Sequence, residues 1–221
     1  IIGSGIIGCC IAYELVKKGN RTLNIDFQPT AGAGSTSNSC GNVRFYYSTK
    51  DGVAAAYESA WYWHNWEEYL GVKDPRGIAK YNNTGSVIIK NKVINWPRFK
   101  ANFDSVGVKY EEWDLAMLQK KIPIADFHSF YPPKLPGDPG FFDKSDDWLA
   151  GACYTPESGY VGDPQLATQN VEFAAKTKGS EFMYNQRVVA IDQKNNKVQG
   201  AVLESGEKIS APVVINVSGP H

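Results

Sequence analysis

The chain opens on an apolar pair, Ile1-Ile2, that runs straight into Gly3. Beyond it Ile6, Ile7, Ile11, Ala12 and Leu15 recur at helical spacing, and Lys17, Lys18 and Gly19 supply a stop. This pattern predicts a strand, a turn and a helix over 6–18. Thr22 to Phe27 reads as a second strand closed by Pro29, and residues 31–42 as a loop of small side chains. From Asp51 to Leu70 the spacing predicts one long helix carrying Tyr57, Trp61, Trp63 and Trp66, capped by Asp51 and ended by Gly71. Asn82-Asn83-Thr84-Gly85 is a turn signal before the strand Ser86–Ile89. Two helical stretches follow near 97–105 and 114–120, then a loop over 131–140 with four prolines and two glycines. Asp163 is placed to cap a helix that has Pro164 in its first turn and runs to about Lys178. Four β segments close the chain at 181–185, 187–193, 197–204 and 212–217, with a turn at Ser205-Gly206.

A βα start, a β-rich middle and a return to short strands describe a two-part α/β protein. Composition narrows its partners. Apolar residues make up 43% of 221, enough for a real core, and 23 basic residues balance 23 acidic ones. A net charge of zero gives no electrostatic reason to expect nucleic acid or an anionic membrane surface. No apolar run is long enough to span a bilayer, and the opening run has no basic flank or cleavage site of a signal peptide. Cys9, Cys10, Cys40 and Cys153 show no metal-ligand spacing and read as reduced packing thiols, in keeping with a cytoplasmic protein. The missing initiator Met and the abrupt end after Val213–His221 point to a piece of a longer polypeptide.

The chemistry sits at the first turn. Gly3-Ser4-Gly5-Ile6-Ile7-Gly8 is G-x-G-x-x-G between a strand and a helix. Gly3 allows the tight turn, Gly5 lets backbone approach a pyrophosphate, and Gly8 lets helix and strand pack closely. The helix start then offers free N–H groups and a positive dipole end to phosphates. Asp26, eighteen residues beyond Gly8 at the end of the second strand, is placed to accept ribose hydroxyls and to repel a 2′-phosphate. The bland alternative is a set of turn glycines and a solvated Asp26. NAD and FAD share this fingerprint. The loop from Gly32 to Asn42, where an NAD domain would go directly into a second helix, favours a ligand that extends past the pyrophosphate.

The fingerprint, Asp26 and the stretch Gly34-Ser-Thr-Ser-Asn-Ser-Cys-Gly-Asn-Val-Arg44 resemble the D-amino-acid oxidase superfamily of FAD-dependent oxidoreductases. Within it the chain is most similar to the sarcosine oxidase β-subunit and dimethylglycine dehydrogenase group. Tyr154-Thr-Pro-Glu-Ser-Gly-Tyr-Val-Gly-Asp-Pro164, Arg187-Val-Val-Ala-Ile191 and Val213-Val-Ile-Asn-Val-Ser-Gly-Pro220 carry the resemblance onward. It implies a glutathione-reductase-like, Rossmann-type FAD/NAD(P)-binding domain, incomplete at its C-terminus, with an inserted α+β substrate domain. Residues 1–45 and 151–221 would form the FAD-binding domain, and 46–150 a linking helix and part of the substrate domain.

The resemblance also implies roles for individual residues. Gly3, Gly5, Ile6, Ile7 and Gly8 would line the pyrophosphate, Asp26 and Phe27 the adenosine, and Val188 the adenine through its backbone. Ser218 and Gly219 would lie along the pyrophosphate, with Gly34, Ser35, Thr36 and Ser39 holding phosphate or ribityl oxygens. Gly41, Asn42, Val43 and Arg44 would lie beside the isoalloxazine, and Tyr46, with Tyr47, would line the substrate pocket. Arg44 would stabilise the reduced ring as a fixed cation, or it is a plain salt-bridge residue.

The implied reaction is hydride transfer from the α-carbon of an N-methylated or secondary amino acid to FAD, with oxygen or another acceptor taking the electrons. The flavin loop lacks the histidine that attaches FAD covalently in some relatives, so non-covalent FAD is expected; Cys40 is that loop's only comparable nucleophile. His221 follows the Gly-Pro beside the cofactor, while His64, among tryptophans, reads as a packing residue. The aromatic helix reads as a packed face and Asp143, Asp146 and Asp147 as solvated; no triad, P-loop or metal cluster is evident. Three alternatives stay open: a glycerol-3-phosphate or hydroxy-acid dehydrogenase of the same superfamily, a non-catalytic assembly or structural subunit, and a hetero-oligomer with FMN at a subunit interface.

Overall fold

The computed structural model describes residues 1–143 and 145–220. In chain order its elements are α1 (Ile6–Lys17), β1 (Leu23–Ile25), β2 (Asn42–Val43), α2 (Lys50–His64), α3 (Trp66–Leu70), β3 (Tyr81–Asn82), β4 (Ser86–Ile89) and α4 (Trp96–Val106). They continue with β5 (Glu111–Trp113), α5 (Leu115–Lys121), β6 (Ala152–Thr155), β7 (Gly159–Val161), α6 (Pro164–Thr177), β8 (Glu181–Met183), β9 (Val188–Lys194), β10 (Lys197–Leu203) and β11 (Lys208–Ser210). Two compact units result. One comprises Ile1–Asn42, Asn65–Tyr81 and the chain from Val161 onward; the other comprises Val43–His64 and Asn82–Tyr160.

The first unit is built on extended segments that run parallel. Ile2 bridges Ile25 on one flank and Asn216 on the other, and β1 pairs with β8 from Leu23↔Glu181 to Ile25↔Met183. The N–H of Ile2 donates to the Ile215 carbonyl at 2.9 Å and that of Gly3 to the Ile25 carbonyl at 2.8 Å. The opening apolar pair is therefore an interior segment, bonded on both sides. Parallel neighbours need crossover helices. α1 connects the first two segments, and α6 leads into β8. The two helices pack against each other, and each buries small side chains, Cys9 and Ala12 on α1 and Ala167, Ala174 and Ala175 on α6. Asp163 caps α6 as its spacing predicts, its Oδ1 accepting from the Leu166 N–H at 2.8 Å.

An antiparallel meander, β9-β10-β11, completes this unit. Its first turn places Asn195 and Asn196 at φ 52° and 59°, the left-handed pair that a tight hairpin demands. The predicted strand at 212–217 reduces to one bridge at Asn216 with flanking bonds through Ile215 and Val217. Pro212 has no N–H to give a ladder at its start. β11, which the pattern did not announce, takes up the pairing along β10 instead.

The second unit holds an antiparallel sheet in the order β4-β6-β5, registered at Ser86↔Thr155 and Trp113↔Ala152. Two apolar clusters sit against it. Phe45, Val53, Ala60, Phe103, Val108 and Cys153 form one, and Trp113, Leu118, Phe127 and Ala152 the other. The single helix predicted over 51–70 is two. Asn65, at φ −116° and ψ 36°, leaves helical geometry between α2 and α3. Thr49 rather than Asp51 serves the start of α2, its Oγ1 accepting from the Gly52 N–H at 3.2 Å. Gly71, at φ 64°, does end α3.

Candidate functional site

The fingerprint glycines are required by close approach of backbone. Gly3 has φ 107°, and a Cβ there would lie 2.5 Å from the Val217 carbonyl oxygen. A Cβ on Gly8 would lie 2.1 Å from the carbonyl oxygen of Gly3. Neither obstacle is a flexible side chain, so only glycine permits the bend. Gly5 stands at the N-cap of α1 and offers no side-chain cap, and no acid occupies the first turn. Apart from the Ile6 N–H, which Thr36 Oγ1 takes, the early N–H groups and the positive end of the helix dipole are left for an anion.

Asp26 lies against this bend. Its Oδ2 accepts from the Ser4 N–H at 2.6 Å and its Oδ1 from the Gln28 N–H at 2.9 Å. Both oxygens are fixed in orientation while keeping further lone pairs for hydroxyl donors. Behind the bend, the fully buried Asn24 donates through Nδ2 to the carbonyls of Gly3 at 3.3 Å and Gly8 at 3.1 Å. Sequence reasoning missed Asn24. Its signal was a polar residue in the middle of the apolar run Leu23-Asn24-Ile25.

The small-residue loop closes over the start of α1. Its Gly32 N–H donates to the Ser4 carbonyl at 2.9 Å, and Thr36 Oγ1 accepts from the Ile6 N–H at 3.3 Å. Gly34 accepts from Ser37 Oγ and Asn38 Nδ2, and Ser39 Oγ accepts from the Gly41 N–H. The position of a Cβ on Gly219 is 3.9 Å from Ser35 Oγ, which puts that residue beside the loop, and Ser218 abuts Gly3. Gly3, Gly5, Ile6, Asp26, Ser35, Thr36, Ser218 and Gly219 thus converge on one end of α1. Ile7, in the first turn of the helix, is 63% exposed.

Gly3, Asp26, Phe27, Val188–Ile191, Asn216 and Ser218 line one groove of ≈ 230 Å³. The first glycine of the bend, an oriented carboxylate and an apolar segment therefore share it. That combination suits the pyrophosphate, ribose and base of an adenine dinucleotide. The residues present fit the nucleotide half of FAD.

Of the remaining candidates, Val43, Arg44 and Tyr46 belong to the second unit. Val43 and Tyr46 pack against the Phe45 cluster, and Tyr46 stacks on Phe99 at 4.0 Å between ring centres. Burial pushes the Tyr46 phenol up, with Arg44 pulling the other way, so it is protonated at neutral pH. The Arg44 guanidinium lies 5.9 Å from the centre of the Tyr47 ring. Asn42 and Gly41 stay with the first unit; Gly41, at φ 64°, accepts from the Val161 N–H at 2.9 Å. The four cysteines are free thiols. Burial raises Cys9 well above its ordinary value and pushes Cys10 and Cys153 up to about 12, so these three are neutral packing groups. Cys40 is exposed. His64 Nε2 lies 3.2 Å from the Glu157 carbonyl, and His221 lies outside the described residues. Among the described residues no group of His, Cys, Asp and Glu could hold a metal ion, and no helix is long and apolar enough to cross a membrane.

Comparison with known proteins agrees with this geometry. Residues 1–221 match the family model described as "DAO: FAD dependent oxidoreductase". The mitochondrial pyruvate dehydrogenase phosphatase regulatory subunit of Mus musculus is 24% identical over 223 residues, covering 99% of this chain and 22% of that one. Among solved structures, L-proline dehydrogenase from P. horikoshii has a TM-score of 0.76 at 22% identity, over 98% of this chain and 51% of its own. Glycine oxidase from Geobacillus kaustophilus has a TM-score of 0.73 at 20% identity, over 99% and 54%. The chain therefore spans about half the length of these two enzymes and a smaller share of the regulatory subunit. At such identities the solved structures speak to the fold, a Rossmann-like α/β FAD-binding architecture.

Proposed function

The chain belongs to the DAO family of FAD-dependent oxidoreductases along its whole length, and on that premise we propose that the longer protein oxidises the C–N bond of a small secondary or N-methylated amino acid, sarcosine-like in form. The observation that carries the nucleotide half of this reading is the 2.6 Å bond between the glycine bend and Asp26. The amino-acid half is supported by neighbours whose names are glycine oxidase and L-proline dehydrogenase.

In this reading 1–45 and 151–221 make the FAD-binding domain, and 46–150 the linking helix and part of the substrate domain. Gly3 to Gly8, with Ser218 and Gly219, cradle the pyrophosphate through backbone N–H groups. Asp26 accepts from the ribose, Phe27 and Val188 flank the adenine, and Gly34, Ser35, Thr36 and Ser39 hold phosphate or ribityl oxygens. Gly41, Asn42 and Val43 border the ring system, Arg44 sets a cation beside it, and Tyr46 lines the substrate pocket as a neutral phenol. FAD, held non-covalently, supplies the hydride acceptor. Oxygen or another acceptor reoxidises it, and FMN with a partner chain would be a separate addition at a subunit interface. The packing thiols suit a reducing compartment, cytoplasmic in this reading, although one relative has "mitochondrial" in its name.

The test is anaerobic addition of sarcosine, dimethylglycine or proline to the full-length protein while the visible band of oxidised flavin is followed. Bleaching by one of these amines is the expected result. Bleaching by a hydroxy acid or glycerol 3-phosphate alone would replace the amine reading with the dehydrogenase one. A second reading rests on the Mus musculus relative, which is named a regulatory subunit. Bound flavin that no donor reduces would favour such a non-catalytic subunit.

A further inference from the structure

Arg187 enters the nucleotide groove because the backbone puts it there. The Gln186 N–H donates to the Asp26 carbonyl at 3.0 Å and the Asn185 N–H to the Gln28 carbonyl at 3.2 Å. Asn185, at φ 57°, makes the turn that brings the chain back along the end of β1. The Glu204 N–H then anchors the Arg187 carbonyl at 2.8 Å. With its backbone clamped on both sides, the Arg187 guanidinium lies over the Phe27 ring, 4.6 Å from its centre. Phe27 is 37% exposed, and both residues line the groove that holds Gly3, Asp26 and Val188.

Among the described residues no carboxylate forms an ion pair with Arg187, and Asp26 directs its two oxygens to the N–H groups of Ser4 and Gln28. A cation of this kind usually extends into water. Here it is drawn onto an aromatic ring at the edge of a cleft, one residue beyond the carboxylate proposed for the ribose. A guanidinium is planar and weakly hydrated and stacks on π faces. A purine joined to a ribose at Asp26 would present such a face within the same groove.

We infer that Phe27 and Arg187 form a stacking platform for the adenine ring, with Arg187 supplying the planar cation that the base covers. The inference rests on the groove being a nucleotide site. It gives Arg187 a positioning role toward the base, separate from the phosphate cradle and from the backbone contact of Val188.

The experiment uses the full-length protein stripped of flavin, titrated calorimetrically with FAD and with ADP. Base stacking measured by alanine substitution corresponds to roughly 5- to 150-fold in affinity, so Arg187→Ala should weaken both ligands by about 10-fold or more. Arg187→Lys should not restore the loss, because an ammonium keeps the charge without the plane. Phe27→Leu should weaken ADP as well, by releasing the guanidinium from its support. Arg187 is exposed, so the unfolding midpoint of the apo-protein should stay unchanged in Arg187→Ala, separating lost binding from lost folding. Wild-type affinity for ADP in Arg187→Ala, or full rescue by lysine, would overturn the platform. Failure of the wild-type protein to take up either FAD or ADP would instead overturn the nucleotide reading on which it rests.

Discussion

The backbone N–H of Ser4 donates to Oδ2 of Asp26 at 2.6 Å, joining the turn between the first two glycines to the end of the second strand. The bond fixes the carboxylate beside the helix start, so the groups suited to phosphate and ribose form one rigid piece. The other oxygen of the same carboxylate is held by Gln28.

Asp26→Asn follows directly from that pairing. An asparagine has one acceptor oxygen where two backbone N–H groups now find one each, and leaving a donor unpaired costs about 1–3 kcal/mol. A carboxylate bond to a ribose hydroxyl is worth about 1.5–3 kcal/mol, so calorimetric titration should show ADP affinity reduced by roughly 10- to 150-fold. Unchanged affinity would remove Asp26 from the site.

Gly8→Ala should be severe and Gly34→Ala mild. The added methyl on Gly8 meets the Gly3 carbonyl oxygen at 2.1 Å, whereas nothing lies within 4 Å of one on Gly34. Overpacking of this kind costs about 1–3 kcal/mol or more, against roughly 0.5 kcal/mol or less for an open surface position. Urea unfolding and the flavin-to-protein ratio after purification measure the contrast, and equal behaviour of the two variants would refute it.

Asn24→Ala removes both donors that tie the Gly3 and Gly8 carbonyls to the strand behind them. The buried Gly3 carbonyl loses this partner and the Gly8 carbonyl loses a bond additional to its place in α1, at about 1–3 kcal/mol. The urea midpoint of the apo-protein should fall accordingly. A shift below the error of the measurement would mean that the glycine bend holds its shape without this tether.

Acid should loosen the first unit through Asp74. Burial pushes its carboxyl up, but hydrogen bonds from the Arg76 side chain and backbone and from Asn170 outweigh burial and hold it below the ordinary 3.8. The folded value lies below the unfolded one, so the stabilisation is present above 3.8 and is lost as pH falls through that range. Asp74→Asn should lower stability by about 1–3 kcal/mol at neutral pH and flatten the acid limb of stability against pH. An acid limb as steep as that of the wild type would assign it to other carboxylates.

Much of the candidate site is legible in the amino-acid sequence. Gly3, Gly5, Gly8 and Asp26 announced themselves because a tight strand-to-helix bend admits only glycine and because the acid sits at a fixed distance along a βα unit. Asp163-Pro164 and Ser205-Gly206 were equally plain, since a cap or a tight turn is decided within four residues. Asn24 was visible only as a polar oddity in an apolar strand. The break at Asn65 and the reduction of 212–217 to one bridge were not visible, because helical spacing continues across the first and β pattern across the second.

What the sequence determined alone is the set of positions where local sterics leave one choice, the glycines of the bend and the residues of caps and turns. What the tertiary structure decided is which distant groups meet them. Asn24 reaches back to Gly3 and Gly8, Gln186 donates to Asp26, and Arg187 comes to rest on Phe27. The reason is physical. A backbone bend is constrained by its own neighbouring atoms, whereas a side chain's partner is set by parallel pairing and packing among segments far apart in the chain, which no local pattern records.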